Sequence, residues 1–267
     1  MARTRPEVCN TIIPRWYHAS MSALMSTSLP GSELLLAALL FLLTLAGASP
    51  GCAQAGLQPQ SDAAQIVLQM QLHNQAQTQA LKHYKTLRHY QVEYRGFSST
   101  VKAWMNVEVN YDAAAGKSFR IVSQSGSKFL LEKVLKRAVD SEKEAGRDRS
   151  SNALTGANYR FALAGTDNLQ GRPAYVLQVE PLVPSKFLYR GKIWIDGADF
   201  AVIQMDVQPA KNPSFWIAQT LIHTSFAKVQ GFWLPQQNRS ETRVRIGGTA
   251  VFTIDYGSYQ FGPESAQ

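Results

Sequence analysis

Cysteine is almost missing from this chain. Cys9 and Cys52 are the only two among 267 residues, and both lie near its start. Whatever folds downstream of Cys52 has no disulfide and must be stabilised by its own apolar core. Long apolar runs are as scarce. The one present, Leu34 to Ala48, is shorter than the roughly 20 residues a membrane-spanning helix needs. Enzyme signatures are absent too: the chain has no G-x-S-x-G, no H-E-x-x-H and no glycine-rich phosphate loop. His73, His83 and His89 fall early and His223 far away, without the close spacing a metal site requires. No catalytic residue, metal ligand or cofactor is therefore expected. Regular β/α alternation is missing, which excludes a Rossmann sheet or a TIM barrel, and no internal repeat is present. Acidic residues are outnumbered, giving a formal net charge of +8. In an exported chain this excess fits anionic lipid head groups better than nucleic acid, and peripheral membrane contact is compatible with it, although so modest a charge serves solubility alone in most proteins.

What is present begins with export. The Leu34 to Ala48 run has the length of a signal-peptide apolar core, Ser49-Pro50-Gly51 ends it, and Ala53-Gln54-Ala55 has the small-x-small form of a cleavage site. The expected division is residues 1–55 as N-terminal extension and signal, then 56–267 as a single periplasmic β domain. Met21 and Met25 are alternative starts, so residues 1–33 carry no functional weight. A rival reading makes Cys52 the lipidated first residue of an outer-membrane lipoprotein, against which Pro50 and the lack of a preceding leucine count.

Beyond the leader, a helix is expected over residues 61–85, capped by Ser61 or Asp62, with a thin stripe of Ile66, Met70, Leu81 and Tyr84 flanked by Val67 and Leu72. From Leu87 the period changes to two. Val101, Ala103, Met105, Val107, Val109 and Tyr111 alternate with Lys102, Trp104, Asn106, Glu108 and Asn110, the mark of an antiparallel strand with one dry face. Phe119 to Ser123 reads as a third strand. A second helix, Lys128 to Ala145, carries Leu130, Leu131, Val134, Leu135 and Ala138 at spacings of three and four, with Gly146 as its stop. The polar loop 147–155 is expected to be the most mobile segment. Strands and turns fill the remainder, including the Asp196-Gly197-Ala198-Asp199 hairpin turn and two separate strands near Phe232 to Pro235 and Ser240 to Ile246. Those two aspartates read as turn chemistry rather than as a catalytic pair.

Tyr189 to Asp196 (YRGKIWID) followed by the strand Phe200 to Val207 resembles the K-I-W-I-D hairpin of the LolA/LolB-like superfamily, as does the order helix, three strands, helix, long antiparallel run. That group includes periplasmic lipoprotein carriers and the RseB stress sensor. The resemblance implies a mainly β fold: an antiparallel incomplete, half-closed β-barrel with two or three helices covering its concave face and acyl chains held between them. The expected function is an exported, non-catalytic binding protein for a lipid, the acyl chain of a lipoprotein or another hydrophobic ligand, serving envelope lipid or lipoprotein trafficking as a monomer. The alternative is an RseB-like sensor for an envelope membrane protein.

Helix Lys128 to Ala145 would be the movable cover. The cavity lining is expected from Met105 and Val107, from Leu131, Val134 and Leu135, and from Ile193, Ile195, Ile203 and Met205. Phe215, Trp216, Phe232 and Trp233 are the expected rim. Lys128, Lys133, Lys136, Arg137, Lys143, Arg147 and Arg149 would form the wet side of the cover and its loop, available to anionic head groups.

Overall fold

The computed structural model describes residues 58–96, 98–145, 153–185, 187–212, 215–245 and 247–262. The signal segment, the cleavage motif, Cys52, Gly146 and residues 147–152 of the polar loop lie outside the described residues. Helix α1 (Gln58–Ala80) precedes strands β1 (His83–Arg95), β2 (Thr100–Asp112) and β3 (Gly116–Gly126). Helix α2 (128–145) follows, then β4 (Tyr159–Leu169), β5 (Arg172–Pro181), β6 (Tyr189–Asp196), β7 (Val202–Pro209), β8 (Ile217–Val229), β9 (Phe232–Val244) and β10 (Gly248–Phe261).

All ten strands join one antiparallel sheet in the order β3-β2-β1-β10-β9-β8-β7-β6-β5-β4. The pairing of β1 with β10 brings the two ends of the domain together. Strands β3 and β4 remain the two edges, so the barrel is incomplete, and the chain passes from one edge to the other through α2. Among the described residues no helix is long and apolar enough to cross a membrane.

The alternation read in β2 holds, with Ala103, Met105, Val107, Val109 and Tyr111 all buried on the concave face. Two elements differ from expectation, and for one reason. The first helix stops at Ala80 and β1 starts at His83, not Leu87, because the inward positions Thr86 and Arg88 are polar and hide the period. Strand β9 is likewise one strand where two short ones were expected, since its inward residues Asn238, Ser240 and Thr242 are polar yet buried. These groups are satisfied locally: the Thr220 and Thr242 hydroxyls meet at 3.0 Å, and Asn238 Nδ2 donates to Thr224 Oγ1 at 2.7 Å.

The main core lies between the concave face and the two helices. It takes Ala63, Ile66, Val67 and Met70 from α1 and Leu130, Leu131, Val134, Leu135, Ala138 and Val139 from α2. Leu72, placed beside the α1 stripe by sequence, is half exposed. A second cluster, with Trp194, Ile203 and Trp233, sits on the outer face of the sheet. A third, aromatic cluster of Tyr84, Tyr111, Phe232 and Leu234 closes one end of the concavity.

Candidate functional site

Eight of the nine expected lining residues do converge. Met105, Val107, Leu131, Val134, Leu135, Ile193, Ile195 and Met205 belong to the single concave core. Ile203 does not, because the pairing of β6 with β7 slips between Trp194 and Ile195. Val202 stands opposite Ile195 and Gln204 opposite Trp194, so Ile203 is the extra residue of a bulge. Strict alternation with Met205 would have turned it inward; the bulge turns it outward, against Trp194 and Trp233.

The concavity is filled in this conformation, where the sequence suggested room left by the helices. Met70, Met105, Val107, Val134, Leu135, Ile193, Ile195 and Met205 are all completely buried. Open grooves lie elsewhere. One of about 510 Å³ opens at the aromatic end beside Tyr84, Tyr111 and Lys117. Another, of about 650 Å³, runs beside Arg172 and Asp196 near the outer cluster. Neither includes any of the nine expected residues.

Helix α2 fills the space through an irregular backbone. Ser127 caps its start, its hydroxyl lying 3.5 Å from Leu130 N. Residues Leu131–Leu135 then form a π-helical turn between α-helical stretches. Such wide turns are strained insertions that recur at functional sites. This one carries Leu131, Val134 and Leu135, all three buried against the sheet.

Near the C-terminal end of α2 the apolar contact gives way to charge. Arg88 Nη1 donates to both Glu142 carboxylate oxygens at 3.0 Å, and Lys117 Nζ donates to Oε1 at 2.9 Å. Arg88 is 2 % exposed and Glu142 7 %. The guanidinium also lies over the Tyr256 ring, 4.7 Å from its centroid. Its Nε–H is buried without a hydrogen-bond partner among the described residues. Burial opposes the Glu142 charge, but Arg88 and Lys117 outweigh it and hold the carboxyl well below its ordinary range. Burial likewise opposes the Arg88 charge, and Glu142 more than compensates. Burial pushes the nearby Tyr90 and Tyr256 hydroxyls upward, so both stay neutral. Beside them β10 is irregular where it passes Leu87, and Thr86 Oγ1 donates to the Gly257 carbonyl at 3.0 Å. A Cβ on Gly257 would stand 2.6 Å from the Leu87 carbonyl oxygen, so only glycine allows this approach.

None of these three charged residues stood out in the sequence, although the signal was there. Arg88 shares strand parity with Tyr84, Tyr90 and Val92, which are buried. Glu142 follows Leu131, Leu135 and Ala138 at helical spacing, on the stripe that faces the sheet.

The four expected rim aromatics separate. Phe215 and Trp216 precede β8 and are exposed, in edge-to-face contact at 5.6 Å. Phe232 and Trp233 follow the β8–β9 turn, at the far end of a 13-residue strand, and both are buried. Phe232 faces the concave aromatic cluster and Trp233 the outer one, so neither is a rim residue.

The other polar residues singled out are held in local contacts, except His73, whose Nε2 is buried without a hydrogen-bond partner among the described residues. Asp196 accepts from the Ala198 and Asp199 N–H groups and from Arg172, as a turn aspartate does. Asp199 accepts from Lys228 and from Trp233 Nε1. His83 pairs with Asp112, His89 with Asn106 and His223 with Asp206.

A family model described as a family of unknown function (DUF5686) matches residues 150–260. No curated protein matches the chain. Among solved structures the chain is similar to a DUF1329 family protein from Desulfovibrio piger, at 13% identity over 77% of this chain and 94% of that one, with a TM-score of 0.41. It is similar to a putative outer membrane lipoprotein-sorting protein domain from Vibrio parahaemolyticus, at 11% identity over 76% and 93%, TM-score 0.41. It is also similar to a LolA superfamily protein from Nitrosomonas europaea, at 9% identity over 75% and 93%, TM-score 0.34. At such identities these likenesses concern layout, and the chemistry of the site is that of the chain's own residues.

Proposed function

We propose that this is an exported, non-catalytic carrier of the cell envelope that takes an acyl chain or similar hydrophobic guest into its half-barrel. The observation that carries the reading is the way α2 fills the concave face: six apolar side chains on a helix that packs across β1, β2 and the edge strand β3. The guest takes the place of α2 rather than fitting beside it. Removing those side chains from the core forfeits on the order of 10 kcal/mol, at roughly 2 kcal/mol each. An acyl chain of about 14 methylenes recovers a similar amount, at about 0.8 kcal/mol each. An exchange so nearly balanced is reversible, as a carrier requires, and consumes no chemical energy. Arg88 and Glu142 set the closed position. A buried ion pair is seldom the most stabilising filling for a core, but breaking one by removing a partner is costly, which suits a device with two definite states.

Native mass spectrometry of protein purified from its own envelope, with lipid extraction, tests this. A bound lipid mass and uptake of a fluorescent fatty acid are expected. An apo mass with no uptake, in the wild type and in a Glu142→Gln variant alike, would exclude a lipid carrier and favour an interaction module for an envelope membrane protein.

A further inference from the structure

We infer that the guest is an anionic amphiphile, whose carboxylate or phosphate replaces Glu142 while its chain replaces the apolar stripe of α2. The inference rests on the carrier reading and specifies its ligand. Two cations, Arg88 and Lys117, share one carboxylate at this point. The buried group therefore carries an excess positive charge even with α2 in place. The Arg88 Nε–H, with no partner among the described residues, is a donor left over. When α2 withdraws it takes the only carboxylate in this group with it. Arg88 lies on a sheet strand and stays behind, buried and unpaired, which is the most costly outcome open to an ion pair. A neutral guest leaves that penalty in full. A guest ending in a carboxylate or phosphate removes it and offers further acceptor oxygens for Nε and Lys117 Nζ. Lys117 also lines the groove at the aromatic end, next to Tyr84 and Tyr111, so the head group has a route from solvent.

Displacement of a fluorescent fatty acid by palmitate, hexadecyl phosphate, hexadecanol and inorganic phosphate tests this. Palmitate and hexadecyl phosphate should compete at least tenfold better than hexadecanol, and inorganic phosphate should not compete. Stronger competition by one of the two anions distinguishes a carboxylate from a phosphate guest, and either supports the inference. Glu142→Gln keeps the side-chain shape but removes the internal competitor, and should tighten palmitate at least tenfold. Arg88→Gln should abolish the preference for acid over alcohol. Should that variant fail to fold, the wild-type comparison and Glu142→Gln still decide. Hexadecanol binding as tightly as palmitate would overturn the inference and leave the carrier reading standing. Binding of none of the amphiphiles would overturn the carrier reading itself, and full competition by inorganic phosphate would show that no chain is held.

A separate observation assigns a docking face. The turns that follow β1, β5, β7 and β9 lie at one end of the sheet with the starts of α2 and β4, as the strand pairing and the Arg245 N to Trp216 O bond require. This end exposes Phe129, Leu182, Val183, Phe215 and Trp216. Its described residues in 96–99, 127–129, 153–158, 182–188, 210–216 and 245–247 include no aspartate or glutamate. Lys128, Lys211 and Arg245 are exposed there, with Arg245 over the Phe215 ring. The acidic Asp112, Asp167, Asp196 and Asp199 stand at the opposite end. Exposed aromatics among cations, on turns that carry no acid, match an anionic bilayer surface. Flotation with phosphatidylglycerol-rich vesicles should recover the full chain, and pure phosphatidylcholine vesicles at least fivefold less. Phe215→Ser with Trp216→Ser should reduce recovery at least fivefold, and Lys211→Glu with Arg245→Glu should erase the lipid preference. Undiminished flotation of both double variants would overturn the assignment, as would a concentration-dependent dimer that the aromatic variant dissolves.

Discussion

The two helices on the concave face are attached by opposite means. Helix α1 packs along β4 and sets Ala63, Ile66, Val67 and Met70 into the core. Beyond them it turns polar, and Gln77 makes two neutral bonds with the Trp233 backbone, donating at 2.9 Å and accepting at 2.8 Å. Helix α2 presents a longer apolar stripe but ends it with a buried carboxylate facing two cations. Amide bonds of the α1 kind, if broken, are made again with water at little net cost. The α2 charges do not separate so easily, because only one of the three leaves. The first helix is a wall; the second is a cover with a defined closed position.

Substituting Glu142 should give the largest effect and sharpen this contrast most. Glu142→Ala leaves Arg88 buried without its counter-ion and should cost about 3–5 kcal/mol in chemical denaturation. The same pair makes the cover sensitive to acid. The Glu142 carboxyl is lowered to about 2 in the folded chain, from an ordinary value near 4.5. Its contribution is complete above about pH 4.5 and is lost as pH falls toward 2. Denaturation measured down this range should show a loss of up to about 3 kcal/mol in the wild type, much reduced in Glu142→Gln. An equal acid loss in both would mean that other carboxylates control the response. Leu135→Ala comes next. Leu135 is completely buried on the π-helical turn, and its truncation should cost about 2–4 kcal/mol while raising fatty-acid uptake, since it weakens the closed state that a guest displaces.

How much of this was legible in the sequence depended on what faced inward. Wherever the inward positions are apolar, as in β2 and along α2, the period disclosed the element and its buried face together. Where they are polar the period vanished, and with it the start of β1 and the continuity of β9. The most informative residues of the site fell in that gap. Arg88 was hidden because an arginine at an inward parity reads as the end of a pattern rather than as part of it. Ile203 shows the converse failure, since its apolar character suited the pattern and only the pairing slip in β7 turned it outward. A slip of that kind leaves no trace in hydropathy, because both faces of β6 and β7 are apolar near Trp194.

The smallest effect is expected on the other helix. Gln77→Ala removes both bonds to the Trp233 backbone, where the side chain had closed the exit of α1 onto the start of β9. The freed backbone groups are only part-buried and water can reach them, so the loss should be about 1–2 kcal/mol. Uptake of a fluorescent fatty acid should stay at the wild-type level, because the guest displaces α2 and leaves α1 in place. Increased uptake in Gln77→Ala, matching that of Leu135→Ala, would mean that both helices move, and the distinction between wall and cover would fail.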